Sequence, residues 1–221
     1  MMRFADRAEA GRLLGERLAG YAGRPGLLVL ALPRGGVPVA AQVAAALRSP
    51  LDVFVVRKLG VPGQEELAMG AIASGGVRVL NAEVVGELGL SDEVIETVAA
   101  RERRELERRL AVYRGDRPAL DVIGRTIILV DDGIATGSTM RAALSALRRM
   151  GPERIVAAVP VAPPTVEEEL AGIADEVICL ATPMPFSAVG LWYEDFTPTT
   201  DDEVRRILSQ GERQGAGLGW I

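Results

Sequence analysis

The stretch 127-IILVDDGIATGSTM-140 decides how this chain is read. Four apolar residues, Ile127 to Val130, run into two adjacent carboxylates, Asp131 and Asp132. A loop rich in glycine and hydroxyls follows, and helical spacing begins straight after it. An unbroken apolar run of this length fits a strand buried on both faces, as in a parallel sheet. Ligands of open parallel sheets sit at the carboxyl ends of the strands, which is where Asp131 and Asp132 arrive. The residues Ala135, Thr136, Gly137, Ser138 and Thr139 then wind into the helix. Their backbone amides and hydroxyls, at a helix N-terminus, favour a phosphate. Two carboxylates beside a phosphate cradle need something between them. A ribose meets that need, because its vicinal hydroxyls want acceptors and its 5′ carbon carries the phosphate. A divalent cation would let the acids coexist with further anionic groups.

Working outward, residues 4–21 read as an amphipathic helix with Leu13, Leu14 and Leu18 on one face. The apolar run 26–32 meets Pro33-Arg34-Gly35-Gly36 and a helical segment over 37–47, and a second buried strand follows at 52–56, ending at Arg57-Lys58. Strand, glycine turn, helix and strand make a βαβ unit, so a parallel sheet is expected. Residues 59–76 carry many glycines and few periodic apolar positions, and read as a long mobile loop ending in a hairpin. Residues 91–114 form a helix that Ser91 can cap, with Glu102, Glu105 and Glu107 interleaved with arginines as solvated surface pairs. Strand 126–131, helix 137–150, strand 154–162, a helix near 164–171 and strand 176–180 complete the core. The expected fold is a single α/β domain over 1–221, an open and mostly parallel sheet flanked by helices.

The 221 residues suffice for one such domain with a sizeable core, and 48% hydrophobic residues exclude disorder. The net charge of −5 argues against wholesale nucleic-acid binding. Histidine is absent and Cys179 is the single cysteine, which removes Ser-His-Asp and Cys-His catalysis and His- or Cys-based metal sites. No apolar run approaches a membrane span, and charges interrupt the N-terminal apolar positions, so a cytoplasmic protein without membrane partners is expected. A P-loop would need GK[ST] and a dinucleotide fold GxGxxG after the first strand; neither is present.

The segment VDDGIATGST resembles the phosphoribosyl-pyrophosphate (PRPP) motif of the type I phosphoribosyltransferases: an apolar strand, two acids and a T-G-x-T loop. The acid pair falls on Asp131 and Asp132, and the loop on Thr136 to Thr139. Pro33-Arg34-Gly35-Gly36 resembles the family's pyrophosphate loop, in which a cis peptide often precedes the basic residue, here Pro33–Arg34. Arg57 and Lys58 resemble diphosphate-contacting positions, Lys58 being the only lysine in the chain. Segment 59–76 corresponds to the flexible catalytic loop. The resemblance covers about residues 26–180.

It implies a Mg²⁺-dependent transferase acting on PRPP and a purine or pyrimidine base, commonly as a homodimer. Asp131 and Asp132 would hold the ribose hydroxyls and the metal. Thr136 to Thr139 would hold the 5′-phosphate, and Arg34 and Lys58 the pyrophosphate. Ala135 stands where hypoxanthine/guanine-type members have an aspartate near the purine N7, which argues against a 6-oxopurine handled in that way. Only 4% of the chain is aromatic, yet Phe186, Trp192, Tyr193 and Phe196 fall between positions 186 and 196. The resemblance implies a hood over the base, here expected at 181–200, with Phe186 or Trp192 stacking on the base or else pinning the hood. A PRPP-sensing regulator on the same fold would carry the same motif. Arg34, Lys58 and the long 59–76 segment favour the enzyme, since a sensor need not keep water from a reacting anomeric carbon.

Overall fold

The computed structural model describes residues 3–216; the first two and last five residues of the expected 1–221 domain lie outside it. A five-stranded sheet, entirely parallel, forms the centre. Its strands are β1 (Leu27–Ala31), β2 (Leu51–Val53), β6 (Thr126–Val130), β7 (Arg154–Val161) and β8 (Glu176–Ala181), in the order β2-β1-β6-β7-β8. Strands β1 and β6 are buried at every position, because helices cover both faces of the sheet. They pair in register from Leu27 opposite Thr126 to Ala31 opposite Val130, so both end at the same edge.

Helix α1 (Arg7–Arg17) packs on α2 (Gly36–Leu47), and α5 (Ser138–Arg149) follows β6. The α1–α2 contact is close: a Cβ at Gly11 would lie 2.5 Å from the Val39 carbonyl oxygen. Helix α4 (Asp92–Arg114) starts where Ser91 caps it, its hydroxyl accepting from the Val94 amide. The short helices α3 (Ala82–Glu87) and α6 (Val166–Leu170) and the C-terminal α7 (Asp201–Ala216) complete the helical layers.

Three expectations change. The first helix begins at Arg7 rather than residue 4, because Asp6 caps it by accepting from the Glu9 amide. Phe4 and Ala5 instead pair with the C-terminal segment: the Phe4 amide donates to Trp192 O, and the amides of Glu194 and Asp195 donate to Phe4 O and Ala5 O. The second core strand, expected over 52–56, stops at Val53. Ser74 then draws the chain away, its hydroxyl accepting from the Val55 amide at 2.9 Å. Residues 59–76, read as a loop, are mostly strand. β3 (Val56–Val61) and β4 (Gln64–Ala73) form an antiparallel hairpin, joined by β5 (Arg78–Leu80) into a second, three-stranded sheet. The hairpin buries Leu59, Val61, Met69 and Ala71, while its tip from Pro62 to Leu67 is exposed.

Candidate functional site

Three segments converge at the carboxyl edge of β1 and β6. Asp131 and Asp132 follow directly on β6. The Pro33–Gly36 loop follows β1, with Pro33–Arg34 cis as its resemblance implies. The loop Ala135–Thr139 leads into α5.

The first two are packed together. A Cβ at Gly35 would sit 2.0 Å from Asp132 Oδ2, and one at Gly36 would sit 2.7 Å from Val130 O. Only residues without a side chain let the two loops approach this closely. Asp131 Oδ1 accepts from the Asp132 amide at 2.8 Å. Burial pushes the Asp131 carboxyl well above its ordinary range, and the neighbouring Asp132 pushes it further. Burial also raises Asp132, against the opposing pull of Arg7, whose Nε donates to Asp132 Oδ2 at 2.9 Å.

In the third segment Gly137 takes a left-handed conformation (φ 70°) as the residue before α5, and no side chain caps that helix. Its first-turn amides stay open to an acceptor. Thr136 and Ser138 hydroxyls lie 3.2 Å apart beside it. Ala135, Thr136, Ser138 and Thr139 are exposed.

Arg57 and Lys58 lie within β3 rather than at the end of a core strand, and alternation along the strand sends them to opposite sides. Lys58 lines a cavity of about 210 Å³ with Thr136, Ser138 and Thr139, and its Nζ contacts Glu66 of the exposed hairpin tip at 3.1 Å. Arg57 turns to α4, donating twice to Glu102 at 2.6 and 2.9 Å. Glu102 is therefore a buried partner, not a solvated surface acid. Arg34 reaches the first turn of α7, 3.5 Å from Asp201, and is half exposed.

The aromatic cluster divides. Trp192 is 8% exposed, packed with Phe4, Ala10, Val161 and Tyr193, and has little free face to offer a ligand. Phe186 lies at the margin of that cluster and is half-buried. Tyr193 donates to the backbone carbonyl of Asp132 at 2.6 Å, tying the C-terminal segment to the acid pair. Arg7 and this use of Tyr193 escape a reading of the sequence. Their partners lie 125 and 61 residues away, and neither belongs to a local motif.

Residues 6–195 match the family described as Phosphoribosyl transferase domain. Two Mycobacterium tuberculosis proteins (strains CDC 1551 / Oshkosh and ATCC 25618 / H37Rv), provisionally named phosphoribosyl transferases, are each 49% identical over all 221 residues. The chain spans about half the length of these curated relatives, 50% of each. The crystal structure of TT1426 from Thermus thermophilus is 47% identical with a TM-score of 0.86, covering 95% of this chain and 99% of that one. The chain belongs to the phosphoribosyl transferase family.

Proposed function

We propose that the protein is a Mg²⁺-dependent phosphoribosyltransferase that moves the 5-phosphoribosyl group of PRPP onto a nitrogenous base and releases pyrophosphate. One observation carries the reading. The part-buried acid pair, the uncapped start of α5 and the glycine loop after β1 meet at a single sheet edge, which supports a site for ribose, 5′-phosphate and diphosphate.

The open amides of α5, with the Thr136, Ser138 and Thr139 hydroxyls, hold the 5′-phosphate. Asp131 and Asp132 accept from the ribose hydroxyls. Arg34 and the backbone of Gly35 and Gly36 hold the diphosphate. The pair between Arg34 and Asp201 is long and half exposed, so it is worth little and yields to a better anion. Lys58 lies beside Thr136 to Thr139 and contributes positive charge there. As the C1–O bond to pyrophosphate breaks, its electron pair leaves with the diphosphate. The base nitrogen then supplies the pair for the new C1–N bond, through an oxocarbenium-like transition state. Holding both ends of the substrate confines C1 in line with the base, and charge at the diphosphate end stabilises the leaving group.

Among the described residues no cluster of three or more acids, histidines or cysteines could cage a metal. Two adjacent carboxylates suit a Mg²⁺ that keeps several waters and takes its other ligands from substrate phosphates. Bound there, it would neutralise charge on the diphosphate.

Base recognition falls to the 181–200 segment, with Phe186 the better candidate for stacking because Trp192 is committed to the core. A homodimer in the cytoplasm is the expected setting. Among the described residues no helix is long and apolar enough to cross a membrane.

The test is pyrophosphate release from PRPP and Mg²⁺ with adenine, guanine, hypoxanthine, xanthine, orotate and uracil in turn. Turnover with one of them is expected. PRPP binding without turnover of any would mark a sensor. Strong hypoxanthine turnover would overturn the argument from Ala135.

A further inference from the structure

Taking the transferase reading as its premise, we propose that Arg7 is a positioning residue of the ribose site. It fixes the Asp132 carboxylate and joins it to Phe196 and Thr197, within the 181–200 segment assigned to base recognition. Arg7 stands on the first turn of α1, 125 residues before Asp132 in the sequence, and its side chain is only 11% exposed. It performs three tasks at once. Its Nε donates to Asp132 Oδ2, its Nη1 donates to the Thr197 carbonyl at 2.8 Å, and its guanidinium lies 4.0 Å from the centre of the Phe196 ring. A planar fork that can stack and donate in two directions suits this position, and a lysine could not do all three.

Gly35 comes up against the same carboxylate oxygen, since its missing Cβ would overlap Asp132 Oδ2. Arg7 and the glycine loop thus both bear on this oxygen, while the Tyr193 hydroxyl donates to the Asp132 backbone carbonyl. Two buried acids side by side repel each other, and Arg7 is the cation that offsets this before any substrate arrives.

The test is calorimetric titration of PRPP with Mg²⁺ into wild type, Arg7→Gln, Arg7→Lys, Asp132→Asn and the Arg7→Gln/Asp132→Asn double variant, with thermal unfolding of each. Loss of a buried charged hydrogen bond should weaken PRPP binding by about tenfold in Arg7→Gln. Arg7→Lys should fall between that variant and wild type, since it keeps the charge and loses the fork. It also remains informative if the glutamine variant does not fold. In the Asp132→Asn background the same Arg7→Gln change should cost far less, because its effect runs through Asp132. An equal loss in both backgrounds would mark Arg7 as merely structural and overturn the proposal. So would unchanged affinity in Arg7→Gln when the wild type binds. Wild-type protein that does not bind PRPP at all would instead overturn the transferase reading.

Discussion

A methyl group at Gly35 would lie 2.0 Å from Asp132 Oδ2, closer than real Cβ atoms approach anything, so either the loop or the carboxylate has to move. At Gly36 the obstacle is the Val130 carbonyl, part of the sheet itself, which cannot give way as a side chain can. The Gly35→Ala protein is therefore expected to fold with a loss of about 1–3 kcal/mol and to bind PRPP at least roughly tenfold more weakly. Gly36→Ala should lose more stability. Thermal unfolding and calorimetry on the two variants check both statements; a Gly35→Ala protein with wild-type affinity would mean that the loop does not bear on substrate. At the same scale burial raises the Asp131 carboxyl well above its ordinary range, a cost to its charged form that a cation or a hydroxyl donor would offset.

Among the elements, the aromatic segment yields the sharpest contrast. Trp192→Leu should cost about 2 kcal/mol or more, because the ring is enclosed by Phe4, Val161 and Tyr193, and it should leave the base KM unchanged. Phe186→Leu should do the reverse, raising the apparent KM for the base about tenfold with PRPP affinity intact. Steady-state kinetics beside melting curves separate the two, and identical behaviour would place the base elsewhere. What can be read in advance follows the same division. Strands β1, β6 and β7 announce themselves because burial on both faces demands unbroken apolar runs, and β8, at the edge and only partly buried, still carries the apolar run from Val177 to Leu180. The acid pair and phosphate loop are legible because strand, turn and helix are contiguous. The β3–β4 hairpin is not, since Gly60 and Gly70 interrupt its alternation and Gln64 to Leu67 lie in solvent. Helix α7 gives little signal because, among its described side chains, it buries a narrow stripe, Val204 and Leu208. The role of Arg7 is invisible, since nothing in residues 1–20 names a partner at position 132.

For the molecule as a whole, the two edges of the sheet differ: one carries a screened ion-pair cluster and the other the candidate site. At the amino edge, hydrogen bonds from the Tyr21 hydroxyl and from Arg154 (2.8 Å) hold the Glu176 carboxyl below its usual range. A lowered folded-state value stabilises above the unfolded pKa of about 4.3, and the benefit is lost as the pH falls through the folded value. Both side chains of the Arg154 pair are more than a third exposed, so solvent screens the pair and its contribution is below about 1 kcal/mol. Glu176→Gln should accordingly melt slightly lower at pH 7, lose less stability on acidification below about pH 4.3, and bind PRPP as wild type does. Equal acid sensitivity in the two proteins would assign the acid transition to other carboxylates. The opposite edge is closed by residues far apart along the chain: Arg7 touches both Asp132 and Thr197, and Phe4 pairs with Trp192. On the ribosome, the helix bearing Arg7 emerges before its partner segment and must wait until Thr197, 190 residues further on, has been made. The strands can assemble during that wait, but a nascent chain released before Thr197 would carry a sheet with its acids unclasped.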